Sequence, residues 1–186
     1  LLKQSPNTIV ISTQEVIARI ISNTPNIDIR NLIALDMKPY SRQTIKIKGI
    51  EVLVISMVHD GKEYADIRNL AYLIKSSAIH GAVVDNSVTV LHLGDAAPTV
   101  ENFQALNMHQ YNIDILVANF PYVSIPAARK IVKEYIKPKK IVVVHLPYKE
   151  LDKFGWITAA KKSYERVKED FIPVEFFEDI GVSTSI

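Results

Sequence analysis

Short apolar runs alternate with helix-like stretches along most of the 186 residues, and this alternation restricts the fold more than any other feature. A strand and a helix come first, several closely spaced strands follow, and the second half has the order strand, helix, strand, helix, strand. Short connections favour antiparallel pairing, whereas helical connections favour parallel pairing. The order predicts a mixed α/β (α+β) fold, in a single domain over residues 1–186, because no linker or repeat interrupts it.

The composition excludes several functional classes. A net charge of +2 is too small to argue for nucleic-acid binding, and no run approaches the roughly 20 apolar residues that a membrane helix requires. The chain contains no cysteine, which excludes disulfides and thiolate metal ligands. The lack of cysteine slightly favours the cytoplasm and leaves export open, so the compartment is unknown from the sequence.

Residue periodicity places the predicted elements. The spacing of Ser12 and Glu15 is that of a capping box, and it predicts a helix with Val16, Ile17, Ile20 and Ile21 on one face. Further helices are predicted to begin at Thr99, to run from Pro126 to the Lys-Pro-Lys-Lys segment at 137–140, and to cover residues 158–171. The helix after Pro126 has an apolar stripe on one face, formed by Ala128, Ile131, Val132, Tyr135 and Ile136. The predicted strands cover residues 8–12, 31–36, 43–49, 50–60, 69–76, 87–95, 114–120, 141–145 and 173–179. Polar and apolar residues alternate strictly over 43–49, which predicts a half-exposed strand there.

Three polar residues stand directly after apolar strands. His59 follows one strand, Asp95 follows another after Gly94, and His145 ends a third. Any one of them alone is more often a turn residue or an ordinary histidine. Three in matching positions favour a shared site, because imidazole and carboxylate groups are ligands for zinc, iron and manganese.

Several segments together resemble the metallo-β-lactamase-fold hydrolases, in the order in which that superfamily has them. The segment "VTVLHLGDA" at 88–96 resembles the strand before a metal-bridging aspartate. The segment "IKPKKIVVVH" at 136–145 resembles the strand that leads to the last metal-binding histidine. The remaining matches are "VHD" at 58–60, "NLAYLI" at 69–74 and "IDILVANFPY" at 113–122. The simple hydrolases that include ascorbate-phosphate lactonase-type proteins are the most similar branch.

The resemblance implies a four-layer αββα sandwich and a metal-dependent hydrolase. Asp95 would bridge two divalent ions, His59 would bind one and His145 the other; the ions would be zinc, with manganese or iron as alternatives. A metal-bound hydroxide would attack a lactone, another ester, an amide or a phosphoester in a small-molecule substrate. Asp95 is therefore also the predicted catalytic residue, and Gly94 would let the backbone approach closely.

Two more residues are predicted to support this site. By strand alternation His92 points to the opposite face from Leu93 and Asp95, so it is interpreted as a packed or supporting residue. Tyr148 could polarise a substrate oxygen, and it is equally a candidate for a packing aromatic. His80 and His109 are predicted to be surface residues.

The strongest signature of the family, H-x-H-x-D-H, does not occur in these 186 residues. The chain begins with Leu1 rather than Met, and we expect the motif to lie upstream, so that these residues correspond to the carboxy-terminal two-thirds of the fold. Sheet edges and apolar surface left by a missing part would be covered by that part or by a second copy, which allows a homo-oligomer.

Two alternatives stay open. The protein could be a degenerate, metal-free member of the fold that acts as a binding or interaction module. It could also be a plain α/β domain that only imitates the family. In that case His59, Asp95 and His145 would lie well over ~10 Å apart, too far for one metal site.

Overall fold

The structure is a computed structural model that describes residues 5, 7–24, 26–47, 49–64, 66–77, 87–179 and 181–185. The described residues form nine strands: β1 Val10–Thr13, β2 Leu32–Leu35, β3 Arg42–Ile47, β4 Ile50–Val58, β5 Arg68–Ser77, β6 Ser87–His92, β7 Ile115–Asn119, β8 Lys140–Val144 and β9 Val174–Phe176. The α-helices are α1 Gln14–Asn23, α2 Val100–Phe103, α3 Pro121–Ser124, α4 Pro126–Ile131 and α5 Trp156–Glu165, and α4 continues as a π-helical turn, Val132–Ile136.

Seven strands form one mixed sheet in the order β3-β4-β5-β6-β7-β8-β9. The strands from β3 to β6 pair antiparallel, and those from β6 to β9 pair parallel. This division follows the connections, since a turn joins β3 to β4 and helices join β6 to β7 and β7 to β8. The predicted α+β class and the antiparallel pairing of the middle strands are confirmed.

The main core lies between one face of this sheet and the helices of the second half. Alternate sheet residues such as Ile55, Leu91 and Leu116 are fully buried on this face. The apolar stripe predicted after Pro126 packs onto them through Ile131, Val132 and Ile136. The spacing of three and four residues had placed these side chains on one helical face, and burial of that face fixes the helix on the sheet.

A smaller core lies on the opposite face of the sheet. Strands β1 and β2 form a separate parallel pair. Leu35 and Met37 pack with Val52, Val54 and Leu70 in this core, and the Tyr72 hydroxyl donates a hydrogen bond of 2.9 Å to the carbonyl of Ile11 in β1. Protein therefore covers both faces of β4 from Val54 to Met57, which explains the apolar run in this part of the strand.

Two helix predictions are corrected by the structure. Thr13, not Ser12, caps α1, and its hydroxyl accepts the amide of Val16. Val16 and Ile21 are 45% exposed, and Ile17 is the buried residue of α1. Helix α1 packs against a sheet of two strands, and so small a surface buries little of a helical face.

The last helix is also shorter than predicted. It ends at Glu165 instead of continuing to Phe171. Phe171 and Ile172 pack against the main core, so the chain must turn back towards the sheet before it reaches them. The longest α-helices in the described ranges have 10 residues, and no helix there has the length and apolarity needed to cross a bilayer.

Candidate functional site

Five strands of the large sheet, β4 and β6 to β9, end at the same edge. Strand β4 is antiparallel to β5, which is antiparallel to β6, so β4 runs in the same direction as β6, β7 and β8. The residues that follow these strands therefore meet at one edge of the sheet. This topology brings His59, Asp95 and His145 together from three separate segments.

The three predicted site residues are in direct contact. His59 Nε2 lies 3.6 Å from Asp95 Oδ2, and His145 Nδ1 lies 2.7 Å from Asp95 Oδ1. The wide separation expected for an unrelated fold that only imitates the family is therefore not observed. The carboxylate of Asp95 lies between two imidazole rings, with one oxygen facing each.

The ring of His59 is oriented by its own chain. Its Nδ1 lies 2.6 Å from the carbonyl oxygen of Asp60. A carbonyl oxygen only accepts, so Nδ1 carries the proton and Nε2 of the neutral ring presents its lone pair to the site. A short antiparallel bridge with Ala96 and the hydrogen bond from the Asp60 amide to the Asp95 carbonyl fix the backbone on both sides of His59.

His145 has a backbone conformation that the sequence did not indicate. Its φ angle is +59°, in the left-handed region that costs a residue with a Cβ atom about 1–2 kcal/mol. The conformation turns the side chain at the end of β8 towards Asp95. Since the carboxylate accepts, His145 Nδ1 donates this hydrogen bond, and Nε2 of the neutral ring is left as an acceptor.

His92 supports the loop that carries Asp95. Its Nδ1 accepts a hydrogen bond of 3.0 Å from the amide of Gly94, while Leu93 points into the core. His92 is exposed, which argues against a packed residue. Its hydrogen bond with Gly94 favours the other predicted role, that of a supporting residue. Crowding by neighbouring atoms lowers the pKa of His92 by disfavouring the charged ring, and the nearby Asp95 carboxylate acts in the opposite direction.

Gly94 and Asn69 together fix the position of Asp95. Gly94 has φ +58°, and a Cβ atom there would lie 2.6 Å from Asn69 Oδ1. Asn69 is buried; its amide donates to the carbonyl of Leu93 at 2.8 Å and its oxygen accepts the amide of Asp95 at 2.8 Å. The glycine is therefore required both by its backbone angle and by the close approach of Asn69.

Two further buried asparagines hold the site, and sequence reasoning had not assigned a role to any of the three. Asn102 bonds the amide and carbonyl of Val58 and the carbonyl of Ala97, tying the end of β4 to the loop after β6. Asn119 donates from Nδ2 to Asp95 Oδ1 at 3.3 Å. The flipped amide would set two acceptors against each other, which supports this orientation. An asparagine at the end of an apolar run, as in "LVAN", was the available signal.

The side chains at this edge fit a metal ion in chemistry but only partly in arrangement. Two ligands at 2.0–2.2 Å on a tetrahedral ion lie about 3.4 Å apart, close to the separation of His59 Nε2 and Asp95 Oδ2. His145 Nδ1 is instead hydrogen-bonded to the same carboxylate. Within the described ranges no group of three or more His, Asp or Glu side chains is arranged as a metal site. The two-ion centre stays a prediction.

The other residues considered from the sequence lie away from these contacts. His109 is exposed, as predicted, and His80 falls outside the described residues. Tyr148 is 59% exposed and three positions beyond His145, which argues against a packing role. Tyr122 is fully buried; burial raises its pKa, with Asp60 acting in the same direction, and its hydroxyl donates to the carbonyl of Ala96 at 2.9 Å.

Two adjoining clefts open onto His59, Asp95 and His145. The first, of about 400 Å³, is otherwise bounded by Asn69, His92, Gly94 and Val144. The second, of about 580 Å³, has more apolar walls, formed by Tyr64, Ile67, Phe120 and Pro121. The ring of Tyr64 packs against that of His59 with centroids 5.2 Å apart. Polar groups at the base of apolar walls are the usual layout of a small-molecule site.

No protein-family model matches the chain, and no curated protein matches it.

Proposed function

We propose that the protein is a metal-dependent hydrolase and that the edge carrying His59, Asp95 and His145 is its active site. The observation that carries the proposal is the pair His59 Nε2 and Asp95 Oδ2, held 3.6 Å apart, while His59 Nδ1 is engaged by the carbonyl oxygen of Asp60. The layered arrangement of helices, large sheet and small sheet supports the metallo-β-lactamase-like fold from which the activity was first inferred.

The chain's own residues would prepare the site for an ion. His59 and Asp95 would provide the first two ligands, and His145 would join them by giving up its hydrogen bond to Asp95. A divalent ion, when bound, supplies Lewis acidity and an acidified water molecule for attack on an ester, lactone, amide or phosphoester. Asn119 would keep its hydrogen bond to Asp95 Oδ1 and so hold the carboxylate in position.

Metal binding by the full-length protein tests this proposal directly. We expect Zn²⁺ to bind in a calorimetric titration, and Asp95→Asn or His59→Ala to weaken its affinity at least about ten-fold. His109→Ala is the matched control, because it removes an exposed histidine outside the site and should leave the affinity unchanged.

Activity provides the second part of the test. In a panel of ester, lactone, amide and phosphoester substrates, turnover should disappear on chelation and return with Zn²⁺. The proposal fails if turnover is insensitive to chelators, or if His59→Ala and His145→Ala leave it unchanged.

The competing function is a metal-free binding module on the same fold. The observation in its favour is that His145 and Asn119 already satisfy Asp95 Oδ1 without an ion. It predicts that the full-length protein binds no Zn²⁺ and that ligand binding survives the loss of both histidines.

A further inference from the structure

Three aromatic side chains lead away from the candidate active site. Phe120 lines the cleft of about 580 Å³ beside Asp95 and His145. The ring of Trp156 lies 5.6 Å from that of Phe120 with an angle of 33° between the planes, and the ring of Phe154 lies 6.3 Å from Trp156. We call these three residues the aromatic row. One end of the row opens into the cleft and the other faces solvent.

The aromatic row is exposed to a degree that folding does not explain. Phe154 is 82% exposed and Trp156 is 47% exposed. Burying such a side chain is worth about 1.5–3 kcal/mol, so an apolar surface left open beside a polar cleft is characteristic of a ligand groove.

The position of the row is fixed by α5. The carboxylate of Asp152 accepts the amides of Trp156 at 2.7 Å and Ile157 at 3.0 Å, which satisfies the first turn of the helix. Ile157 and Ala160 are buried, and α5 packs against α3, which directly follows Phe120. Trp156 is thus held before a ligand arrives, so little conformational entropy is lost on binding.

We propose that the aromatic row binds a flat aromatic group of the substrate, so that the bond to be cleaved lies at Asp95. Flat rings are favoured because the row presents ring faces and edges at stacking distance, and stacking adds to the effect of area burial. The substrate class is then an ester, lactone or amide that carries an aromatic ring next to its carbonyl. The cleavage of this substrate rests on the proposed function. The binding of its flat ring by the aromatic row does not depend on that function.

Binding of neutral amides tests the inference without any reaction or metal. Phenylacetamide and cyclohexylacetamide have similar size and polarity, and only the first has a flat ring. The chain has a single tryptophan, so the fluorescence of Trp156 reports binding at the row. We expect phenylacetamide to bind about two- to ten-fold more tightly than cyclohexylacetamide and to change the emission.

Variants of the row separate its parts. Phe154→Ser should weaken phenylacetamide binding about two- to ten-fold with little effect on folding, because its side chain is almost free. Trp156→Leu keeps an apolar side chain and should remove the preference for the flat ring, measured by chemical-shift titration. Ile50→Ser is the control, since Ile50 is an exposed apolar residue at the start of β4, the opposite end of the strand from His59.

Three results would overturn the inference: equal affinity for both amides, an unchanged affinity in Phe154→Ser, or a self-association of the protein that Phe154→Ser abolishes. The last would assign the row to an interface between copies. Ring-selective binding without any metal-dependent turnover would contradict the proposed hydrolase and leave the row as a binding site.

Discussion

Individual residues at the candidate site adopt backbone conformations that serve position rather than stability. Gly94 and His145 both have positive φ angles, and they flank the same carboxylate from two different strands. Gly94 lacks a Cβ atom and adopts this conformation without steric strain. His145 has a Cβ atom and adopts it with strain. Each therefore offers a substitution that distinguishes strain from function.

Gly94→Ala should destabilise the protein more than its backbone angle alone explains. The new Cβ would lie 2.6 Å from Asn69 Oδ1, whereas a Cβ at Gly155, which has a similar φ of +67°, would meet nothing within 4 Å. Gly155→Ala is thus the matched control for φ strain. In urea unfolding we expect Gly94→Ala to cost about 1–3 kcal/mol more than Gly155→Ala. Equal costs would mean that Asn69 moves aside freely.

Replacing His145 should separate strain from function. His145→Gly and His145→Ala both remove the imidazole, but only glycine adopts φ +59° without strain. We expect the glycine variant to be about 1 kcal/mol more stable than the alanine variant in thermal unfolding. Both should lack metal-dependent turnover. An alanine variant as stable as the glycine variant would show that the backbone relaxes once the ring is gone.

At the scale of elements, the site depends on buried amides that connect segments far apart in the chain. Asn69 joins β5 to the loop after β6, and Asn102 joins α2 to the end of β4. These side chains form hydrogen bonds with backbone groups at the end of β4 and in the loop after β6. The segments that carry His59 and Asp95 are thereby held next to each other.

Asn102→Ala should loosen this edge. It removes hydrogen bonds to the amide and carbonyl of Val58 and to the carbonyl of Ala97. The two carbonyls still accept the amides of Ala97 and Thr99, so the amide of Val58 is the group that loses its acceptor. A loss of about 1–3 kcal/mol in the free energy of unfolding is expected. Gln104→Ala, an exposed position two residues on, should change stability by less than about 0.5 kcal/mol. Faster amide exchange at His59 would locate the effect.

Polar side chains form contacts at two opposite edges of the large sheet. At the first edge they position the residues of the candidate site, and at the second edge they connect neighbouring strands. At the second edge Asp114, just before β7, accepts the amide of Thr89 in β6 and the ammonium group of Lys139, just before β8. Burial raises the pKa of the Asp114 carboxyl, but the hydrogen bonds with Lys139 and Thr89 and the charge of Lys139 outweigh it, so the pKa is lowered.

Asp114→Asn should therefore change the pH dependence of global stability. A carboxyl group whose pKa is lower in the folded state contributes stability above its unfolded pKa, about 4, and loses it as the pH falls through the folded value. The stability difference between wild type and Asp114→Asn should be largest near neutral pH and shrink below pH ~4. Asp66→Asn, which changes an exposed carboxylate, is the control for the substitution itself. Chemical denaturation at a series of pH values measures both.

The element types were predictable because they depend on neighbouring residues. Periodicity located the stripe of Ile131, Val132 and Ile136, and alternation located β3, which was predicted to be half-exposed. The predictions that were wrong, Ser12 as a cap and a helix continuing to Phe171, concern element ends. Ends depend on which residues the rest of the molecule buries, and periodicity along a segment does not contain that information.

The sequence by itself determined the class of fold, the identity of the strand-end residues His59, Asp95 and His145, and the chemistry that imidazole and carboxylate groups can perform. Only the tertiary structure decided that His145, 50 positions beyond Asp95, donates to it at 2.7 Å, and that His59 turns Nε2 rather than Nδ1 towards it. Sheet order and strand direction set these distances, because strands separated in sequence become neighbours through backbone pairing. The same pairing joins the site to the aromatic row at Phe120, a connection that no local pattern in the chain encodes.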